Sequence, residues 1–152
     1  MTAQRFASPE SFKQSLDERI RQTCRAQGSD ASRFRQLLVF DRFLARLSVA
    51  FGERVIVKGG VVLELRLERA RTTRDVDLRL SGDPDQTLAE LKAAGLLDLG
   101  DFLSFVVTPD REHPAIEGDG IVYAGRRYRA EARLAGKLYG MPFGVDAGSA
   151  TC

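Results

Sequence analysis

The 152 residues predict an α/β (α+β) fold, with helices packed on one face of a mixed sheet. Three observations predict it. The first fifty residues hold two stretches of apolar residues at helical spacing, each between a polar cap and a glycine. A β-branched run, Val55-Ile56-Val57, is broken by Gly59-Gly60 and followed by an apolar helical segment, then by alternating residues around Asp75 and Asp77. From Ile121 onward the pattern reads as the strands of a meander.

Taken in order, Ser8-Pro9-Glu10 is a helix start, a capping serine followed by proline at the first helical position, and this helix runs to Gln27-Gly28. Ser29-Asp30 opens a second, with Phe34, Leu37, Leu38, Leu44, Leu47 and Phe51 at helical spacing and Gly52 as its stop. A strand over Arg54 to Lys58 leads to a helix from Gly60 carrying Val61, Val62, Leu63, Leu65 and Leu67. The next strand runs from near Thr73 to Leu80, and a helix follows from about Asp85 to Leu97. Phe102 to Val107 is a strand and Pro109 to Gly120 a loop. In the meander, Tyr128 to Leu134 is a strand, Gly136-Lys137 a turn, and Leu138 to Val145 a returning strand. The expected organisation is one domain over 1–152, with a helical segment at 8–52 and a sheet at 54–148 that carries its carboxylates at an open edge.

Composition bounds the class. A 43% apolar and 29% charged chain is ordinary for a globular domain with a modest core. No apolar run reaches the ~18 residues needed to cross a bilayer, and the polar start lacks the apolar stretch of a signal peptide, so a cytoplasmic location is expected. Cys24 continues the face of Phe12, Leu16 and Ile20 and reads as core, while Cys152 ends the chain. His113 lacks Cys or His neighbours at ligand spacing. The net charge of +2 predicts no nucleic-acid partner, yet 19 of the 23 basic residues are arginine. Arg19, Arg21, Arg25, Arg33, Arg35, Arg42 and Arg46 decorate the first fifty residues, either as a solvated face or as a phosphate-contacting patch.

The chemistry lies between Val55 and Leu80. On a strand, side chains alternate faces, so Arg71, Thr73, Asp75 and Asp77 point one way and Val76 and Leu78 point into a core. Two carboxylates about 6.6 to 6.8 Å apart on one face can share a divalent metal carrying a polyphosphate. A glycine pair opening a helix lets phosphate oxygens approach backbone N–H groups at the positive end of the helix dipole. Twelve aspartates make a bare D-x-D pair expected by chance, so context decides. Asp83-Pro84-Asp85 surrounds a proline and reads as a turn and helix cap, and Asp119 reads as a turn residue.

Lys58-Gly59-Gly60 followed by Arg71-x-Thr73-x-Asp75-x-Asp77-Leu78 resembles the AbiEii/AbiGii toxin nucleotidyltransferases of the DNA polymerase β-like superfamily. The resemblance implies a nucleotidyltransferase-like sheet in which Asp75 and Asp77 bind Mg2+ or Mn2+. Lys58, Gly59, Gly60, Arg71 and Thr73 would line the nucleotide. The family's hydrophobic-Asp-hydrophobic-Gly element is matched at Val145-Asp146-Ala147-Gly148, which makes Asp146 the third ligand or general base; the bland alternative is a turn aspartate. The resemblance further implies transfer of a nucleoside monophosphate from an NTP to an acceptor hydroxyl, with tRNA as acceptor. The chain would be the toxin of a type IV toxin-antitoxin pair, partnered by a cognate antitoxin. Members continue beyond the third carboxylate into a helical half, which the chain lacks after Cys152. A truncated domain that binds nucleotide or a partner without turnover is therefore one alternative, with self-association through the uncovered surface. A small-molecule nucleotidyltransferase is another.

Overall fold

The computed structural model describes residues 8–28, 30–58, 75–110, 115–118 and 121–149. The helix expected from Gly60 lies outside them.

Helix α1 (Pro9–Gln27) starts as expected, with the Ser8 hydroxyl accepting from the Ser11 N–H, and it ends at Gly28 in the left-handed region. Asp30 caps α2 (Ala31–Phe51) by accepting from Ser32 N–H. Strands β1 (Val55–Lys58) and β2 (Asp75–Leu80) follow, then a short 3-10 turn over Pro84–Gln86 and helix α3 (Thr87–Gly95). Asp83 accepts from the Asp85 N–H at 2.9 Å, the turn role read from its sequence. The remaining strands are β3 (Ser104–Pro109), β4 (Ala115–Gly118), β5 (Ile121–Leu134), β6 (Lys137–Leu138) and β7 (Phe143–Ser149). They form one sheet in the order β1-β2-β7-β5-β3, with β4 and β6 pairing onto β5. All described pairings are antiparallel except β2 with β7.

Two expectations fail locally. Pro109 to Gly120 is not all loop: Ala115–Gly118 pairs with the first half of β5, and Asp-Gly between two alternating runs is a hairpin signal. The returning strand is also split. Gly140 has φ 71°, and Gln36 of α2 clamps Met141 by accepting from its N–H at 2.8 Å and donating to its carbonyl at 2.9 Å. A Cβ on Gly140 would lie 2.8 Å from the Gln36 Oε1, so a residue without one is needed there. The break ends β6 and lets Phe143 begin a new strand, which places Asp146 in mid-strand rather than in a turn.

The helices cover one face of the sheet. Phe12, Leu16, Ile20 and Cys24 of α1 and Val39, Phe40, Phe43, Leu47 and Phe51 of α2 are buried with Val76, Leu78, Phe105, Val107, Ala130, Phe143 and Val145 of the sheet. Phe40 and Phe43 meet Phe143 edge-on at 5.1 and 5.3 Å between ring centroids. Phe34, expected in the apolar stripe, is exposed.

Arg46 corrects the picture of a solvated arginine run, because its side chain is fully buried. All five of its N–H donors are satisfied. Nε donates to the Leu97 carbonyl, one terminal nitrogen to the Arg42 carbonyl and Asp101, and the other to Asp101 and the Leu103 carbonyl at 2.6 and 2.7 Å. Arg42 adds a 2.8 Å bond to Asp101, and Arg35 pairs with Asp17 and lies over Tyr139. These arginines tie elements together. Burial alone would raise the Asp101 carboxyl, but the hydrogen bonds from Arg46 and Arg42 outweigh it and hold the group below its ordinary range.

Replacing Asp101 by alanine should cost about 3 to 5 kcal/mol, because Arg46 would remain as an unpaired buried charge. Urea denaturation at neutral pH measures it. Because the folded-state pKa is depressed, the contribution is present above the ordinary carboxylate pKa and is lost as pH falls through the depressed value, so the wild-type advantage should shrink in acid.

Candidate active site

A cross-strand row defines the site. Lys58 of β1 pairs with Asp77 of β2, Asp77 with Asp146 of β7, and Asp146 with Arg127 of β5. Asp110 donates its N–H to the Arg127 carbonyl at 3.1 Å, which continues the row past β3. Paired residues share a face, and their neighbours Val76, Leu78, Val145, Ala147 and Tyr128 are buried under the helices. Alternation therefore turns Asp75, Asp77, Asp146 and Arg127 to the face opposite the helix layer. The expected placement at an open edge is corrected: β2 and β7 are interior strands, because β1 flanks one side and β5 and β3 the other.

Asp75 sits in register with Gly144. One carboxylate oxygen accepts from the Gly144 N–H at 3.1 Å and the other from an Arg127 terminal nitrogen at 3.1 Å. The Arg127 Nε lies 3.3 Å from Asp110 and 3.6 Å from Asp146 Oδ1. Both Nε and Asp146 Oδ1 are buried atoms with these ion contacts but no hydrogen bond. Burial raises the Asp146 pKa first; Arg127 opposes the shift, and Asp75, Asp77 and Asp110 add to it, with a net rise. The carboxylates thus repel one another with one guanidinium among them.

The three aspartates expected to act together are brought together, and Lys58 falls in their row. Gly59, Gly60, Arg71 and Thr73 lie outside the described residues, as do His113 and Asp119. Asp85 is exposed and pairs with Arg126 at 3.1 Å. Among the described residues no three His, Cys, Asp or Glu side chains stand as a preassembled metal site, and Asp75 is turned to Gly144 and Arg127. The donor set nevertheless fits a hard divalent cation: carboxylate oxygens on adjacent positions, one of them buried without a hydrogen bond. Sequence reasoning missed Arg127, Asp110 and Gly144. Parity could have found Gly144, since Gly144 and Asp146 alternate with Phe143 and Val145 on β7.

A mixed sheet covered by helices on one side and bearing clustered aspartates on the other is the architecture of a nucleotidyltransferase. The family model "Nucleotidyl transferase AbiEii toxin, Type IV TA system" matches residues 42–150, and the chain belongs to that family. Among solved structures, MenT4, a nucleotidyltransferase toxin from Mycobacterium tuberculosis, superposes with a TM-score of 0.53 at 19% identity, over 84% of this chain and 42% of that one. At that identity the similarity is one of fold, and the chain spans less than half the length of that relative. No curated protein matches the sequence. Among the described residues no helix is long and apolar enough to cross a membrane.

Two outcomes are expected. Asp146→Asn should raise the melting temperature of the metal-free protein at neutral pH. An acid whose folded-state pKa is raised penalises the native state once ionised, so the gain should fade as pH falls through the raised value and be gone below the ordinary 3.8. A melting series in EDTA from neutral pH into acid checks the sign. Gly144→Ala should leave the protein folded but displace Asp75, since a Cβ there would lie 2.6 Å from its Oδ1 and 2.9 Å from the Arg127 guanidinium. Circular dichroism should match wild type while manganese binding falls.

Proposed function

We propose that the chain transfers a nucleoside monophosphate from an NTP to an acceptor hydroxyl, with Asp75, Asp77 and Asp146 as its catalytic carboxylates and Mg2+ or Mn2+ as cofactor. The observation that carries this reading is the parallel register that sets Asp77 beside Asp146, with Asp75 two residues away on the same face. A divalent metal would supply charge neutralisation at the attacking and leaving oxygens of an in-line displacement. The protein's part is to hold the carboxylates on rigid interior strands and to accept a proton from the acceptor hydroxyl. Asp146 is the proposed residue for that last role, by its place beside Asp77 in the parallel register. Lys58, Gly59, Gly60, Arg71 and Thr73 are the proposed nucleotide-binding residues, on the resemblance of their motif.

Membership of the AbiEii family supports a toxin role alongside a cognate antitoxin, and we take tRNA as the acceptor and the cytoplasm as the compartment. The arginines do not add to the RNA reading as a group. Arg42 and Arg46 are committed to Asp101 and Arg35 to Asp17, while Arg19, Arg21 and Arg25 are exposed. A reading as a nucleotide-binding domain without turnover draws on one observation, the engagement of Asp75 by Arg127.

Incubation of the protein with total RNA, a metabolite extract, Mg2+ and each labelled NTP tests the proposal. Label on tRNA is the expected result. Label on a small molecule would move the acceptor to a metabolite, and no transfer with intact NTP binding would favour the non-enzymatic reading. Asp77→Asn should lower transfer at least about 100-fold, since even residues that only orient a metal ligand are worth about 10- to 100-fold, with the fold unchanged by circular dichroism.

A further inference from the structure

Arg127 stands in the same row as Asp77 and Asp146 and reaches three carboxylates at once. A terminal nitrogen lies 3.1 Å from Asp75, while Nε lies 3.3 Å from Asp110 and 3.6 Å from Asp146. The side chain is only 29% exposed, so these attractions are less screened than at an open surface. Its hold is nonetheless incomplete, because the buried Nε makes no hydrogen bond and neither does the Asp146 oxygen facing it. Arg46 shows what a fixed guanidinium looks like in this protein, with every N–H donor satisfied. The Asp75–Arg127 contact also depends on a bare backbone at Gly144, where a Cβ would meet both partners. Asp75, Asp110 and Asp146 all lie within ion-pair distance of Arg127, which meets part of their negative charge.

We propose that Arg127 is a built-in competitor for these carboxylates: it keeps Asp75 and Asp146 aligned in the metal-free protein and thereby weakens the affinity of the site for a divalent cation. The inference rests on the metal-site reading above. It makes Arg127 a positioning residue. A divalent cation must draw Asp75 away from a bound guanidinium, so removing that guanidinium leaves uncompensated carboxylates and a tighter site.

Manganese alone is the probe, with the 152-residue chain, no nucleotide, binding followed by the loss of the free-ion paramagnetic resonance signal, and folding by circular dichroism. Arg127→Gln should bind manganese roughly tenfold more tightly than wild type, as loss of one competing charge at about 4 Å predicts for a partly screened site. Arg127→Lys keeps the charge on a stem without the planar fork, so it should fall between the two. Adding Asp75→Asn to Arg127→Gln should abolish the gain. If wild type binds manganese through Asp75 but Arg127→Gln binds no more tightly, the competitor role is overturned and the metal site stands. If no protein binds manganese in an Asp75-dependent way, both the inference and the metal-site reading fall. Should Arg127→Gln not fold, Arg127→Lys decides: affinity equal to or below wild type overturns the proposal.

Discussion

The parallel pairing of β2 with β7 is the constraint on which the rest depends. Asp75 and Gly144 are 69 residues apart in the chain, yet a main-chain N–H of one meets a carboxylate of the other. Closing so long a loop costs entropy before any contact compensates for it. The compensation comes from the other face of the same strands, where Val76, Leu78, Val145 and Ala147 are buried under α2 and its neighbours. A one-residue slip would send Asp146 into that core and Val145 to the opposite face. The hydrophobic side therefore fixes the register of the acidic side, and the site inherits its geometry from packing.

Two arginines show how one residue type serves opposite ends. Arg46 is held by Asp101 and three carbonyls, lies over the Phe105 ring at 5.1 Å, and joins α2 to the segment between α3 and β3. Every donor has a partner, so motion there would break several bonds together. Arg127 shares its charge among three carboxylates and leaves Nε without a hydrogen bond. The two differ both in burial, 0% against 29% exposed, and in completeness of hydrogen bonding.

Much of this was legible in the chain. Caps at Ser8 and Asp30 and stops at Gly28 and Gly52 gave both long helices, because local hydrogen bonding decides helix ends. The period of two gave the faces of β2. The split of the returning strand was not legible, since it depends on Gln36 from a distant helix seizing Met141. Nor was Arg46, because a buried arginine and a solvated one carry the same helical spacing until Asp101 is known to lie beside it. Arg127 escaped for a related reason. Its importance comes from cross-strand pairing with Asp146, and register between distant strands is set by tertiary packing. The local motif at Asp75 and Asp77 was thus legible and Asp146 could be named from the resemblance, but the register that joins them to Arg127, Asp110 and Gly144 was not.

The assembled part also explains why the fold tolerates an unfavourable cluster. Ionised Asp146 opposes the native state: burial raises its pKa first, and Asp75, Asp77 and Asp110 add to the rise against the pull of Arg127. A surface selected for stability alone would place neutral or opposite charges in that row. Arg127 reduces the repulsion without removing it, because it is shared among Asp75, Asp110 and Asp146 and reaches Asp146 only at 3.6 Å. On the proposed metal-site reading, the remainder is a free-energy difference that a more highly charged cation would relieve, and relief of that kind is itself binding energy. Apolar packing on the helix-covered face and the saturated Arg46–Asp101 pair supply stability that offsets the repulsion on the opposite face. The two faces of the sheet are therefore not independent: tighter packing beneath permits stronger repulsion above.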